Sequence, residues 1–300
     1  MDNFKSGFLA LVGKPNAGKS TLLNALIKQK VSIVSPKPQT TRNKVLGIWT
    51  EKDCQMVFVD TPGVIRPKTA LGRYMEKSID SGVRDVDCIV YVSDGHKGIN
   101  DSEIELITKY GSKNIPLVVV ITKTDICQPE TLMKELKKLN ALPFIKEIYC
   151  VSSRKNKNIT LLKEGLKKYL CDDVKYFDDD DVTDKSQRFL VCEIIREKIL
   201  LLCDNEVPHG IGVTLNKMEF NPLTKVWDID ANIIVEKASH KPIVLGKGGK
   251  MIKQIGIYAR EGIEKMLGEK VYLSLWIKVK EDWRNSDFMV KEIGYNKKDL

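Results

Sequence analysis

The segment Gly13–Ser20 (GKPNAGKS) constrains the fold of this 300-residue chain more than any other feature of its sequence. It matches the pattern G-x-x-x-x-G-K-[ST], follows the apolar run Phe8–Val12 and leads into the helical pattern Lys19–Gln29. A strand, a glycine-rich turn and a helix in this order direct backbone N–H groups and a helix N-terminus toward a phosphate group. The segment therefore predicts a nucleotide-binding α/β domain, but it does not distinguish ATP from GTP.

Short apolar runs alternate with helical patterns over residues 1–171. Continuous apolarity over four or five residues is typical of strands that are buried on both faces of a parallel sheet. The alternation therefore predicts an α/β domain with a doubly wound, mostly parallel sheet. The predicted strands are Phe8–Val12, Met56–Val59, Cys88–Val92, Leu117–Ile121 and Ile148–Val151. The predicted helices are Lys19–Gln29, Asp101–Tyr110, Glu130–Leu139 and Ile159–Leu170.

Three polar motifs each follow a predicted strand: DTPG at 60–63, TKTD at 122–125 and SSR at 152–154. In open α/β sheets, ligands bind at the carboxyl ends of the strands, so these motifs should meet the phosphate loop. There Asp60 can hold Mg²⁺ through water, and the Gly63 N–H can meet a γ-phosphate. The Asp125 carboxylate can accept both N1–H and N2–H₂ of guanine, which adenine does not offer, so we predict GTP. The predicted GTP-binding residues are Gly13, Lys14, Pro15, Asn16, Ala17, Gly18, Lys19, Ser20, Thr21, Asp60, Thr61, Pro62, Gly63, Thr122, Lys123, Asp125, Ser152, Ser153 and Arg154.

The order of these motifs resembles that in the translation-factor-like class of P-loop GTPases. The segment Pro38–Arg42 (PQTTR) looks like the first switch loop of that class, in which a threonine hydroxyl completes the Mg²⁺ shell when GTP is present. The spacing to Arg42 favours Thr41 for this role, and Thr40 is the alternative. The predicted Mg²⁺ ligands are Ser20, Thr41 and Asp60. The residues expected to act in hydrolysis are Lys19, Thr41 and Gly63.

Two positions depart from the usual GTPase pattern. Val64 occupies the place where many GTPases carry a glutamine that orients the attacking water, so we expect slow intrinsic hydrolysis. A partner such as RNA could order the switch loops, or K⁺ could bind near Asn16, which matches the phosphate-loop asparagine of K⁺-coordinating GTPases. Thr122 replaces the asparagine that usually begins the guanine motif and reaches less far, so we expect somewhat weaker guanine binding.

Composition gives weaker constraints than the motifs. The net charge is +9, which favours a polyanionic partner but is also compatible with simple solubility. The 7 cysteines form no C-x-x-C pair and are expected to be reduced thiols. No apolar run reaches the length of a membrane span, and the sequence before Phe8 leaves no room for a signal peptide, so we expect the protein in the compartment where it is made.

An acidic stretch, residues 172–184 (DDVKYFDDDDVTD), separates the first domain from the rest of the chain. Its four consecutive aspartates repel one another, so we predict a solvated linker. The alternative is a loose contact with the basic C-terminal domain.

Residues 185–300 follow a different pattern, which predicts a small α+β domain. The expected elements are a helix at 189–203, alternating strands at 211–215, 229–235 and 271–279, and a helical stretch at 251–267 in one piece or two. The segment Gly246–Gly249 (GKGG) fits the G-x-x-G loop of KH domains, which clamps single-stranded RNA. The predicted RNA-binding residues are Lys241, Gly246, Lys247, Gly248, Gly249, Lys250 and Lys253, and the expected apolar floor for bases is Ile243, Val244, Ile252 and Ile255.

The two domains together resemble the Era family of GTPases. The matching stretches are GKPNAGKST, PQTTR, DTPG, EVPHG at 206–210, PIVLGKGGKMIKQIG at 242–256 and KEDWR at 280–284. The resemblance implies a type II KH domain, provided that residues 251–267 form two helices. It also implies binding to the 3′ end of small-subunit (16S-type) ribosomal RNA and to the 30S-type subunit, and a role in ribosome assembly. A cytoplasmic monomer with partial contact at the inner membrane surface is implied as well, with a structural role for His209.

Two other functions are weighed against this one. A membrane-associated or signalling GTPase could use the C-terminal domain to bind a protein partner. A GTPase subunit of a tRNA-modifying enzyme would carry a reactive cysteine near its C-terminus, and here no cysteine follows Cys203.

Overall fold

The computed structural model describes residues 4–64, 67–203 and 210–296. Its first domain is built on a six-stranded sheet with the order β2-β3-β1-β4-β5-β6. Only β2 runs antiparallel to its neighbour, and the other pairs are parallel, which confirms the predicted mostly parallel sheet. The strands are β1 Lys5–Val12, β2 Val45–Thr50, β3 Cys54–Asp60, β4 Cys88–Asp94, β5 Leu117–Thr122 and β6 Ile145–Cys150.

Helices cover both faces of this sheet, because successive residues of each central strand point to opposite sides. Leu9 and Leu11 pack with helices α1 and α5, whereas Ala10 and Val12 pack on the opposite side with α3 and α4. The helices are α1 Lys19–Ile27, α2 Ala70–Gly82, α3 Asp101–Gly111, α4 Pro129–Asn140 and α5 Ile159–Lys167.

Two elements of this domain are absent from the sequence-based prediction, β2 and α2. Strand β2 is a short edge strand interrupted by Gly47, whose missing side chain leaves room for Leu23, 2.5 Å from where a Cβ would lie. Helix α2 begins after Thr69, whose hydroxyl accepts the Gly72 N–H at 3.0 Å. Gly47 interrupts the apolar run of β2. The apolar residues of α2 are spaced along one side of a short helix and pack against the C-terminal domain, so they form no continuous run.

The acidic stretch packs against the first domain along much of its length. The side chain of Gln55 bonds the backbone of Tyr176 and Phe177, and the Val182 carbonyl accepts the Ile48 N–H at 3.0 Å. The four aspartates 178–181 are exposed, as charge repulsion requires. The stretch is therefore a fixed strap beside β2 and β3 rather than a fully solvated linker.

The second domain has a three-stranded sheet with the order β7-β8-β9 and one apolar face covered by helices. Strands β7 and β8 are antiparallel, and β8 and β9 are parallel. The described elements are α6 Gln187–Leu202, β7 Ile211–Asn221, β8 Val226–Val235, α7 His240–Leu245, α8 Lys250–Leu267, β9 Lys270–Val279 and α9 Asp287–Glu292. His209 and most of the EVPHG segment lie outside the described residues.

The helical pattern of this domain differs from the prediction in one respect. Residues 250–267 form a single helix, and the additional helix of the type II order is α7, which precedes the glycine-rich loop. The loop therefore connects the two helices α7 and α8. The predicted apolar floor is partly wrong, because Val244 and Ile255 are fully buried in the domain core and are not available to bases.

A hydrophobic cluster joins the two domains. Leu71 and Tyr74 of α2 pack with Trp283 and Tyr295, and the fully buried Trp283 donates its indole N–H to the Gly210 carbonyl at 2.9 Å. Helix α2 is thus held by the C-terminal domain. In the parts of the chain that the structure describes, no helix has the length and apolarity to cross a membrane.

Candidate nucleotide and nucleic-acid sites

The phosphate loop wraps around the amine of Lys19, as its motif predicts. The Lys19 Nζ donates to the carbonyls of Gly13 and Lys14 at 3.1 and 3.2 Å. Gly13 has φ +149°, and a Cβ there would lie 2.2 Å from the Val92 carbonyl, so only glycine fits. Burial lowers the pKa of Lys19 to about 8, although the nearby Asp60 opposes the shift. The ammonium group is held where anionic phosphate oxygens would replace the lost water.

Three oxygen donors gather beside Lys19, and they are the three predicted Mg²⁺ ligands. The Ser20 Oγ lies 2.7 Å from Thr41 Oγ1 and 2.7 Å from Asp60 Oδ2. Ligand oxygens around an octahedral Mg²⁺ lie about 3 Å apart, so the spacing of the Ser20 and Thr41 hydroxyls fits two direct ligands, with Asp60 close enough to hold the ion through water. Asp60 is fully buried, and its Oδ1 has no hydrogen-bond partner. An unpartnered buried carboxylate oxygen is the kind of group that a divalent cation satisfies.

Burial raises the pKa of Asp60, although Lys19 and the hydroxyls of Ser20 and Ser32 oppose the shift. A bound cation would favour the ionised carboxylate. Ser32 was not predicted, and its Oγ donates to Asp60 Oδ2 at 2.9 Å. No sequence motif marks Ser32, because it reaches Asp60 only through the path of the loop after α1.

The contacts of the first switch loop distinguish its two threonines. Thr40 Oγ1 bonds Ser35 Oγ and the Lys37 carbonyl, both at 2.7 Å, and is thereby used within its own loop. Thr41 Oγ1 instead meets Ser20 Oγ. The geometry therefore favours Thr41 over Thr40 as the third ligand.

The DTPG turn lies directly against the phosphate loop. The Val64 N–H donates to the Gly13 carbonyl at 3.1 Å. A Cβ on Gly63 would lie 2.7 Å from the backbone of Pro15, so the close approach requires glycine. Thr61 is fully buried and donates its hydroxyl to the Leu11 carbonyl at 2.8 Å.

The guanine motifs form the other end of the cleft. Asp125 is exposed, and the Ser152 hydroxyl that donates to it holds the pKa of the Asp125 carboxyl below its ordinary value, with help from the charges of Arg154 and Lys155. The carboxylate is therefore ionised and free to accept two N–H donors. Lys123 braces the loop by donating to Asp94 at 2.6 Å and to the Asn16 carbonyl at 2.8 Å.

Thr122 performs the bracing role that asparagine usually has. Its buried hydroxyl lies 2.6 Å from the Ala17 carbonyl and 3.0 Å from the Ser93 carbonyl. The shorter side chain thus still ties strand β5 to the phosphate loop. It has no hydrogen left for the base, because a hydroxyl donates only one.

These elements enclose a cleft of about 330 Å³. Its lining includes residues of the predicted phosphate loop, the first switch loop, Gly63, Lys123 and Arg154. The sequence-based reasoning missed five further contributors, of which one, Leu201, comes from the C-terminal domain: Ile33, Val34, Ser35, Pro36 and Leu201.

The G-x-x-G loop forms a second exposed site, away from this cleft. Gly248 and Gly249 have φ values of +60° and +76°, and nothing lies within 4 Å of a Cβ on either. Helix α8 follows at once with no side-chain cap, so its first N–H groups face outward. The four predicted lysines are exposed, and in the described part of the chain none makes an ion pair. The half-buried Leu275 and Ile277 belong to the predicted strand at 271–279 but were not predicted as RNA contacts, and they provide apolar surface beside α8.

Comparison with known proteins identifies both domains. A family model described as "50S ribosome-binding GTPase" matches residues 8–123, and one described as "KH domain" matches residues 206–284. GTPase Era of Clostridium botulinum (strain Okra / Type B1) is 45% identical over 294 residues, which cover 98% of this chain and 99% of that protein. The chain belongs to the Era family of GTPases.

Other Era proteins support the same assignment. GTPase Era of Clostridium kluyveri is 46% identical over 291 residues, with 97% of this chain and 99% of that protein covered. A crystal structure of an Aquifex aeolicus Era variant bound to GDP·AlF₄⁻ superposes with a TM-score of 0.93 at 37% identity, over 97% of this chain and 99% of that one. A structure of Era with MgGDPNP and nucleotides 1506–1542 of 16S ribosomal RNA superposes equally well, with the same identity and coverage. The predicted Era-type fold, a P-loop GTPase domain followed by a KH domain, is thereby confirmed.

Proposed function

We propose that this Era-family chain is a GTP-hydrolysing switch that binds the 3′ end of small-subunit ribosomal RNA and acts in assembly of the small ribosomal subunit. The observation that carries the proposal is the meeting of Ser20, Thr41 and Asp60 beside a cleft whose other end is lined by Lys123 and Arg154 of the guanine motifs. One end of that cleft suits a metal-bound triphosphate, and the other suits guanine.

The chain's own residues would work mainly by positioning and by charge. Lys19 and the backbone N–H groups of the phosphate loop would bind the β- and γ-phosphates. Ser20, Thr41 and Asp60, the last through water, would hold Mg²⁺, which supplies charge neutralisation of the phosphates when it is bound. The Gly63 N–H would orient the γ-phosphate.

Val64 supports the proposal of slow intrinsic hydrolysis. Its side chain has no polar atom, and its N–H is already used by the Gly13 carbonyl. Neither group can orient a water molecule for attack on the γ-phosphate. A second element must therefore complete the catalytic site, and one candidate is a monovalent cation.

The contacts of Asn16 support a K⁺ site. Its Nδ2 donates to the Pro36 carbonyl at 2.9 Å, two residues before the first switch loop, so the amide group and a backbone oxygen face the same point. Such an arrangement can supply two oxygens to a cation once the amide turns. We expect faster GTP turnover in KCl than in NaCl at equal ionic strength, and we expect Asn16→Ala to remove the difference. Equal rates of phosphate release in the two salts would contradict the K⁺ site.

The RNA part of the proposal is supported by the open G-x-x-G loop and by the relative solved with 16S ribosomal RNA. The test is fluorescence anisotropy with a labelled RNA of the 3′ end of small-subunit ribosomal RNA, against a scrambled RNA. If all four lysines contact phosphates, log Kd should rise with log salt with a slope of about 3. Lys247→Ala should reduce that slope by about 0.7, and Lys265→Ala, at the far end of α8, should leave it unchanged.

A double replacement of Gly248 and Gly249 by aspartate provides a sharper test. Aspartate tolerates positive φ and meets no neighbouring atom there, so its main effect is negative charge beside the RNA backbone. The matched control replaces both glycines by asparagine, which has the same shape and no charge. We expect RNA binding to be lost much more in the aspartate variant, with basal GTP hydrolysis retained in both. Retained RNA binding in the aspartate variant would refute the proposed RNA site.

An intact cellular role in the aspartate variant after loss of RNA binding would favour the alternative, a signalling GTPase with a protein partner. The proposal also includes a cytoplasmic monomer with partial peripheral contact at the inner membrane surface, which is supported by family resemblance. Sedimentation of the pure chain and its flotation with anionic vesicles test these two points.

A further inference from the structure

Helix α6 of the C-terminal domain lies along the loop that follows α1 and leads into the first switch. The Glu197 carboxylate accepts the Lys30 ammonium at 2.5 Å and the Val34 N–H at 3.0 Å. Glu197 is 2% exposed, so these are buried and well-defined contacts. Residue 34 lines the nucleotide cleft, and one side of the cleft is therefore held in place by α6.

A second contact of α6 holds the same loop nearer its metal-binding end. The Arg196 guanidinium donates to the Thr40 carbonyl, directly before Thr41, and is fixed by the Glu193 carboxylate. Arg196 is only 1% exposed. The loop between α1 and Thr41 is thus attached at two points, Val34 and Thr40, to one helix of the other domain.

Leu201 lies one helical turn beyond Glu197, on the same side of α6. It lines the cleft together with Val34 and Arg154, and it is 48% exposed. A half-exposed leucine at the edge of a polar cleft has apolar surface that nothing in the described part of the chain covers fully. An isobutyl group offers no hydrogen bond to phosphates, so the matching part of a nucleotide is the ribose and the edge of the base.

We propose that α6 of the C-terminal domain completes the nucleotide site, with Leu201 as a binding residue against the ribose–base end and with Glu197 and Arg196 as positioning residues for the first switch loop. This inference rests on the proposed function, because it concerns the same guanine nucleotide. A nucleotide that touches both domains stabilises the domain arrangement seen here. By thermodynamic reciprocity, a change in that arrangement alters nucleotide affinity.

The test is calorimetric titration of the full chain with GDP and with GDPNP in the presence of Mg²⁺. Leu201→Ala should weaken binding of both nucleotides by about fivefold, since burial of half a leucine side chain is lost. The matched control is Leu223→Ala, the same truncation at a 93% exposed leucine of the same domain. It should leave both affinities unchanged. Because Leu201 is half-exposed, the truncation should not unfold the chain, and an unchanged melting temperature without nucleotide verifies this.

The other outcomes distinguish failure of the proposed GTPase function from failure of the proposed role of α6. Wild-type chain that binds neither GDP nor GDPNP would refute the proposed function itself. Wild-type chain that binds both, with Leu201→Ala indistinguishable from Leu223→Ala, would refute the role of α6 and leave the GTPase proposal intact. A gain in affinity on removing Leu201 would also overturn the inference, because it would show that the side chain obstructs the nucleotide.

Discussion

Directly after Thr41, the buried Arg42 joins the first switch loop to the C-terminal domain. Its guanidinium donates to the Ile211 carbonyl at 2.6 Å and to the Tyr295 hydroxyl at 3.0 Å. It also lies 5.8 Å from the ring centroid of Trp283 and 5.9 Å from that of Tyr295. Replacement by methionine would keep most of the buried volume but remove the positive charge and the two hydrogen bonds to Ile211 and Tyr295.

The expected loss of stability follows from these contacts. Hydrogen bonds to a charged group contribute about 1.5–3 kcal/mol each, and cation–π contacts add about 0.5–2 kcal/mol each. Much of this sum is offset by the cost of burying the guanidinium, which is several kcal/mol. Breaking a buried charged cluster typically costs about 3–5 kcal/mol. Because methionine refills the space, we expect Arg42→Met to lower the free energy of unfolding by about 3 kcal/mol.

The assay is urea unfolding followed by tryptophan emission, to which Trp283 contributes from the same cluster. The matched control is Arg73→Met, which removes an inter-domain ion pair to Asp287 at 3.5 Å. The side chains of that pair are 55% and 78% exposed, so solvent screens it and the loss should be small. The loss of unfolding free energy in Arg42→Lys should lie between the losses in Arg73→Met and Arg42→Met, because one ammonium group keeps the charge but cannot reproduce the planar donor geometry.

The reasoning would be refuted if Arg42→Met and the wild type had the same urea midpoint and slope. It would also be refuted if Arg73→Met cost as much as Arg42→Met, since burial would then not decide the energy. Because Arg42 follows Thr41, we also expect Arg42→Met to slow GTP hydrolysis by misplacing the switch loop. Unchanged hydrolysis would separate the domain contact from catalysis.

Three further predictions concern the nucleotide site and its support. Lys19→Ala should abolish phosphate release from GTP while the RNA affinity of the C-terminal domain stays near wild type, and normal turnover would mean that the phosphate site is misassigned. Thr122→Val should weaken GDP binding about tenfold in calorimetry, because the hydroxyl that ties β5 to the phosphate loop is lost, whereas Thr122→Ser should bind like the wild type. Burial alone would raise the pKa of Glu197, but two lysine ammonium groups and a backbone N–H outweigh it and hold the pKa below the ordinary 4.5. The stabilisation by Glu197 is therefore complete above pH 4.5 and is lost as the pH falls through the lower pKa of the folded state. The difference in urea midpoint between wild type and Glu197→Gln should shrink toward acidic pH. A difference that stays constant with pH would contradict this.

The nucleotide-binding fold was predictable because its signals are local. The segment Gly13–Ser20 combines a strand end, a tight turn and a helix start within a few residues, and the structure places each where expected. The carboxyl ends of parallel strands share one sheet edge, so residues as distant as Asp60 and Asp125 could be assigned to one cleft.

Elements without a local signal were missed or misplaced. Helix α2 buries its apolar side against the C-terminal domain, and its short amphipathic pattern does not show that partner. The acidic strap was predicted to be solvated because charge repulsion can be read from the sequence, whereas its backbone hydrogen bonds to Ser6 of β1 and Ile48 of β2 cannot. Val244 and Ile255 were predicted to contact bases but are buried in the core. The same apolar residue types line a core and a binding groove, so the sequence does not distinguish the two.

By itself, the sequence determined the nucleotide chemistry and the identity of both domains, since spacing within a motif fixes which groups converge on a ligand. Only the tertiary structure gives a geometric reason to favour Thr41 over Thr40, brings Ser32 to Asp60, and places Leu201 beside the nucleotide cleft. These choices depend on contacts between residues far apart in the chain. Such contacts arise from packing and burial of the whole molecule, and no short pattern of residues encodes them.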